Sequence, residues 1–222
     1  MSLSYTRRPH DLPDPIELYA RARALALVEL AINDRPFLRV HALDPDINHH
    51  VRVSSGSGDE ASVWLPSAGC VVRGFDHESE LSPWMADERR IWPGLLNGLP
   101  PELADGPRLN VHDGVEDLTF LLWWSGDGPW QTGTLPPEIP GEGDLDGSHF
   151  LLNPLASDEG GLGFLTEVYE TDMPTDVLGG FSNDGTVDWE ALSDLPKLRP
   201  PDVIAMELTP LGIGLIVPPS PL

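Results

Sequence analysis

The chain has 222 residues, 13 of them basic and 36 acidic, for a formal net charge of −23. That balance argues against nucleic acid as a direct ligand, because neutralising phosphates needs a Lys/Arg surface, and equally against docking on anionic lipid. With 22 Gly and 24 Pro the chain stays below low-complexity composition, and its 61 Leu, Ile, Val and Phe suffice for a sizeable core.

One cysteine, Cys70, leaves no partner for an intramolecular disulfide and no multi-cysteine metal site. The apolar run at 24–32 is interrupted by Glu29 and followed by no small-residue cleavage site. No stretch approaches the ~18 apolar residues of a membrane span. The expectation is a cytoplasmic protein with no membrane contact and no cofactor.

Asp14-Pro15-Ile16-Glu17 reads as a helix start, with Asp14 as cap and Pro15 at the first helical position. The helix should run to about Ile32, where Asn33-Asp34-Arg35-Pro36 stops it. Glu17, Arg21 and Glu29 fall towards one side of its projection; Ile16, Ala20, Ala24, Leu27 and Ala31 fall on the other. From residue 37 the period changes to two. Runs at 37–43, 50–54, 61–66 and 70–75, separated by turn signals, predict a four-stranded antiparallel meander. Leu38, Val40 and Ala42 should share one face of the first strand, and Arg39 and His41 the other. In the second strand Val51 and Val53 oppose Arg52, so one sheet face should be wet.

Residues 76–117 are rich in loops, punctuated by Trp92-Pro93-Gly94 and Leu99-Pro100-Pro101. A strand at 118–125 should turn through Gly126-Asp127-Gly128-Pro129 into a partner at 130–134. Residues 149–153 read as another strand. After Gly161 helical spacing returns, with short helices at 175–179, 187–195 and 201–208. The fold class is therefore α+β: an N-terminal helix, an antiparallel meander sheet and short C-terminal helices. One domain over 1–222 is expected, with a possible subdivision near 109. Charge divides there: 1–108 carry 11 bases and 16 acids, a net of −5, whereas 109–222 carry Lys197 and Arg199 against 20 acids, a net of −18.

Candidate chemistry is sparse. Asp76, His77 and Glu78 form the densest functional-looking segment, and His41, His49, His50 or His112 could join it to make a hydrolase or metal centre. The helical His-x₃-His spacing of a zinc site and the Gly-x-Ser-x-Gly elbow of a serine hydrolase are both missing. A strand end turning into a loop, capped by Asp76 or Ser79, explains the same residues. Glu142, Asp144 and Asp146 with Gly147 resemble the start of a calcium loop, but position 12 is Asn153 rather than glutamate. His77, Asp144 and Asp146 are thus weak metal candidates. Cys70 reads as a buried structural cysteine. Trp123 and Trp124 are adjacent on a strand and must face opposite sides; the outward one is a candidate interface anchor. Trp84 and Trp92 flank Arg89-Arg90 as a second aromatic patch.

The run Gly74-Phe75-Asp76-His77-Glu78-Ser79, followed by Ser82-Pro83, Trp92-Pro93-Gly94 and a Leu-Trp strand, loosely resembles uncharacterised acidic proteins of actinobacteria. That resemblance implies no activity. In general character the chain is similar to immunity proteins of bacterial toxin systems. The functional expectation is a non-enzymatic protein-binding module, of inhibitor or immunity type, which meets a basic protein partner through Glu138, Glu142, Asp144 and Asp146 with Trp123 or Trp124 as anchor. The rival is a metal-dependent or other hydrolase centred on Asp76, His77 and Glu78.

Overall fold

The structure, a computed structural model, describes residues 12–134, 146–181 and 185–218. Helix α1 spans Pro15–Ile32, and Asp14 caps it by accepting the Ile16 N–H at 2.9 Å. Glu17 and Arg21 pair across one turn, and Arg21 also reaches Asp158 at 2.7 Å. From Ala22 to Ile32 every residue of α1 is buried. The expected polar side of the helix is therefore corrected at Glu29, which is fully buried. Its surroundings explain why a charge is tolerated there.

Six strands form one antiparallel sheet in the order β1-β2-β3-β4-β7-β8. The first four are β1 His41–Leu43, β2 His50–Ser54, β3 Glu60–Trp64 and β4 Cys70–Phe75, the expected meander. Strand β7, Phe120–Trp124, joins the β4 edge, and β8, Gln131–Thr132, pairs with β7 as its turn predicts. The sheet thus runs across residue 109. Gly74 is required in β4, because a Cβ there would lie 1.9 Å from the ring of Phe120 on the neighbouring strand.

The sheet has two different faces. Val51, Val53, Ala61, Val63, Cys70, Val72, Phe120 and Leu122 pack inward on α1 and the main core. Burial pushes the Cys70 thiol pKa up, which keeps it an inert core group. On the outer face Val71, Leu121 and Trp123 join Leu95, Leu103 and Leu118 from the loop-rich segment. That segment contains α2, Pro101–Ala104, and the small hairpin of β5, Val111–His112, with β6, Val115–Glu116. Beyond its cover Arg52 is exposed on the same face, as alternation in β2 predicts.

The first strand differs from expectation. Residues Pro36–Leu38 form a 3-10 turn, and β1 begins only at His41. The register pairs His41 with Val53, so His41 faces inward and is fully buried, not on the wet face. It meets Glu29. That carboxylate accepts the Val40 N–H at 2.7 Å, the His41 N–H at 2.9 Å, the Tyr169 hydroxyl at 2.6 Å, and approaches His41 Nδ1 at 2.6 Å. Asn33 Nδ2 donates in turn to the Tyr169 oxygen at 3.2 Å. Four donors on one carboxylate offset the desolvation of a buried charge.

The C-terminal elements close the other side of α1. The stretch expected as a strand at 149–153 is instead helix α3, Ser148–Ala156. Asp146 accepts the Ser148 N–H at its start, and Leu151, Leu152 and Leu155 enter the core at helical spacing. Helix α4, Asp158–Tyr169, starts before Gly161, with Ser157 accepting from Gly160 N. The helix expected at 187–195 divides into β9, Thr186–Asp188, and α5, Trp189–Leu192. Helix α6, Pro201–Leu208, matches its expected span, and β10, Gly214–Ile216, pairs parallel with β9. The short helix expected at 175–179 is a 3-10 turn over Val177–Gly180. Arg39 and Arg199 both donate to carbonyls at the end of α1, and Glu207 of α6 joins them at 2.6 and 2.5 Å. Burial raises the Glu207 pKa, but the two guanidinium bonds outweigh it and hold it below the usual carboxylate range. Among the described residues no helix is long and apolar enough to cross a membrane.

Two substitutions test this frame. Asp14→Ala should cost about 1 kcal/mol through loss of the helix cap, read as a lower denaturation midpoint at unchanged slope. Tyr169→Phe should cost about 2 kcal/mol, because it removes a donor to a buried carboxylate, and it should do so without changing helix content by circular dichroism.

Candidate functional site

Three groupings outside the core bring chemistry-bearing side chains together. The first is the end of β4. His77 Nδ1 lies 2.6 Å from Asp59 Oδ1, and the His77 backbone N–H also donates to that oxygen at 3.1 Å. Asp59 Oδ2 accepts the Ser55 hydroxyl at 2.9 Å and the Ser57 hydroxyl at 3.3 Å. Asp76 Oδ1 accepts the Glu78 N–H at 2.8 Å in a tight turn. A Cβ on Gly147, whose φ is +78°, would sit 2.3 Å from Asp76 Cβ, so the glycine lets the 146–147 backbone close on this turn.

One donor atom each from Asp59, Asp76 and His77 lies within 4.8 Å of the others, a spacing a cation could bridge. In this structure the same atoms are engaged in hydrogen bonds. Asp59 already accepts four donors, and His77 Nδ1 faces one of its oxygens as a donor would. Glu78, the third residue expected at this centre, points into solvent with its Oε1 4.0 Å from His77 Nε2. The sequence missed Asp59, which a turn eighteen residues before His77 delivers. Asp146, expected at the partner surface, is buried and accepts the Ser148 N–H. Glu138, Glu142 and Asp144 lie outside the described residues.

The second grouping lies on the outer sheet face. Asp44 Oδ2 is 3.2 Å from His50 Nδ1, and His50 Nε2 is 2.8 Å from Ser62 Oγ. His50 and Arg52 alternate on β2, and Arg52 pairs directly with Ser62 on β3, so all three side chains share a face. Asp44 comes from the turn between β1 and β2. Burial holds the His50 pKa below the ordinary histidine value, and the Asp44 contact offsets part of that drop. The three residues line a cavity of about 260 Å³, walled by Arg52, Glu60, Arg108 and Asn110. Period-two alternation puts His50 and Arg52 on one face, but no glycine-flanked motif marks Ser62 in the sequence.

The third grouping concerns the tryptophans. Trp123 is buried in the outer-face cluster, and Trp124 is half-buried on the inner face with its Nε1 donating to Gly128 O at 3.1 Å. They face opposite sides, but neither is the exposed anchor expected of the pair. All seven tryptophans are described, and Trp84 alone is exposed, at 56%. It sits on the 3-10 turn Pro83–Met85, whose first N–H pair is held by Ser82. Its Nε1 donates to buried Asp117 at 3.0 Å, and the Arg89 guanidinium stacks 3.6 Å from the ring centroid while bonding the same carboxylate at 2.5 Å. Trp84 is therefore pinned by Asp117 and Arg89, with the His112 ring 5.6 Å away at a steep angle, and it stays more than half exposed beside Met85, exposed at 66%.

No family model matches the chain, and no curated protein or solved structure is similar to it.

The His77 pair makes a pH prediction. The Asp59 hydrogen bond and charge raise the His77 pKa; burial of Asp59 works against its own ionisation, but the His77 and Ser55 bonds leave its pKa lowered. The contribution of His77 is complete below its unfolded pKa and disappears as pH rises through the raised folded value. That of Asp59 is present above its unfolded pKa and disappears as pH falls through the depressed folded one. The pair is thus intact between those two limits. An NMR titration should place the His77 midpoint above the ordinary histidine value, and Asp59→Asn should return it there.

Proposed function

We propose that the protein is a protein-binding module that docks a basic partner protein on the Trp84–Met85 platform. The carrying observation is the pinned, outward-facing Trp84. An aromatic ring held by Asp117, Arg89 and the edge contact with His112, yet more than half exposed, loses little entropy on binding, and Trp and Arg dominate the energetic centres of interfaces. Exposed Glu78, Glu80, Asp87 and Glu88 flank it in the same segment. This is the apolar centre with a charged rim that a docking site needs.

The wider charge supports a basic partner. Arg21, Arg39, Arg73, Arg89 and Arg199 are engaged in ion pairs within the fold, and Lys197 Nζ donates to Tyr169 O. The exposed carboxylates of Asp158, Glu159, Glu167, Glu170, Asp172 and Asp176 face few cations of their own. Such a field steers a cationic partner and raises its association rate. An inhibitor or immunity-type role in the cytoplasm fits this reading. The hydrolase reading centred on Asp76, His77 and Glu78 has less support, because Glu78 is solvent-exposed and comes only within 4.0 Å of His77, and the His77–Asp59 pair is satisfied internally.

The test uses the protein as bait in a lysate of its source organism, followed by binding kinetics with the recovered partner. A basic protein should be retained by the native chain, and its association rate should fall as the screening length shrinks from ~10 Å at 0.1 M salt to ~3 Å at 1 M. Trp84→Ala should weaken binding about 30-fold, mainly through faster dissociation. Unchanged affinity in that variant, or a salt-independent association rate, overturns the proposal.

A further inference from the structure

The cavity on the outer sheet face stands apart from the Trp84 platform and carries chemistry that docking does not need. We propose that it is an ester-hydrolysis site in which Ser62 is the nucleophile, His50 its general base, and Asp44 the residue that positions the imidazole. The two contacts in series, 3.2 Å at Nδ1 and 2.8 Å at Nε2, place acid, base and hydroxyl in the order that acyl transfer requires. A carboxylate on the Nδ1 side fixes the proton there. Nε2 is left as an acceptor, and the Ser62 hydroxyl donates to it.

The surroundings fit that role. His50 and Ser62 are both more than nine-tenths buried, so the imidazole is poorly hydrated and stays neutral and basic near neutral pH. Asp44 from the preceding turn and Arg52 from the same strand act on its charge, and Glu60 and Arg108 face it across the cavity. Arg52 stands opposite Ser62 in the strand register and on the same face, with its guanidinium 3.8 Å from Glu60, and it brings a positive charge to the wall on which an oxygen becomes negative. Asn110 Nδ2 bonds Glu60 at 3.2 Å and holds the loop over the cavity. A volume near 260 Å³ suits a short acyl chain rather than a drug-sized group.

The reaction balances without a further reactant beyond water. Ser62 Oγ adds to the ester carbonyl as its proton passes to His50 Nε2. The ester C–O bond then breaks, and the alcohol leaves with that proton. Water repeats the sequence on the acyl-serine, releasing a carboxylic acid and restoring the Ser62 hydroxyl. No electron acceptor is involved.

The experiment treats the native protein with a small alkyl fluorophosphonate and locates the adduct by fragmentation mass spectrometry. In parallel it measures hydrolysis of p-nitrophenyl acetate. The expected result is a phosphonyl group on Ser62 and an ester turnover that Ser62→Ala abolishes. His50→Gln should lower the rate at least ~100-fold. Asp44→Asn should lower kcat and shift the acidic limb of its pH profile, which a merely structural role would not do. Because the adduct is mapped on the unaltered chain, it does not depend on any variant folding. An unlabelled Ser62, labelling of Ser55 or Ser57 in its place, or an unchanged rate in Ser62→Ala overturns the proposal. The docking reading is untouched by any of these results.

Discussion

A carboxylate with no access to water organises this fold. Glu29 sits in the fourth turn of α1, and the chain reaches it from three directions: the backbone entering β1, the His41 ring, and the hydroxyl at the end of α4. Three of the donors come from the start of β1 and the fourth from the end of α4. The interaction therefore sets where the sheet edge lies against the helix and where the C-terminal helices stop. Removing the acceptor would leave several buried donors without partners, and the cost of such groups exceeds the gain of making them. Tyr169 keeps its proton throughout, since burial and the neighbouring carboxylate both push its pKa upward. His41 Nε2 is left with no hydrogen-bond partner among the described residues, and the Phe164 ring stands edge-on to His41 at 5.1 Å.

The same constraint marks the limit of what the sequence could show. Asp14, Pro15 and Asn33 state the bounds of α1 through local chemistry, and the meander follows from alternation and turns. These signals need no knowledge of distant contacts. Glu29 and His41 are different. On a helical wheel and in an alternating strand both look solvent-facing, and only their mutual contact makes burial possible. The helix at Ser148–Ala156 was hidden for a related reason: its start depends on Asp146 and Gly147 meeting the end of β4. Of the candidate groups, His77 was visible but its partner Asp59 was not. Asp44, His50 and Ser62 lie on three separate pieces of chain that only the register aligns.

Two opposite uses of charge coexist in the chain. Inside, arginines act as structural connectors: Arg73 meets Glu116 at 3.0 Å with both side chains buried, and Arg39 and Arg199 close the end of α1. Outside, acids are left with few local cations. A protein of net charge −23 gains solubility at some expense of self-repulsion in the compact state.

The sheet ends at both sides in very short strands, three residues in β1 and two in β8. An exposed strand edge is a template on which another polypeptide can add its own strand, the first step towards aggregation. Here the edge at β1 offers little to copy, because the amides of Val40 and His41 already point at a helix side chain. The buried carboxylate of α1 thus also occupies the part of the sheet margin that a second strand would otherwise copy.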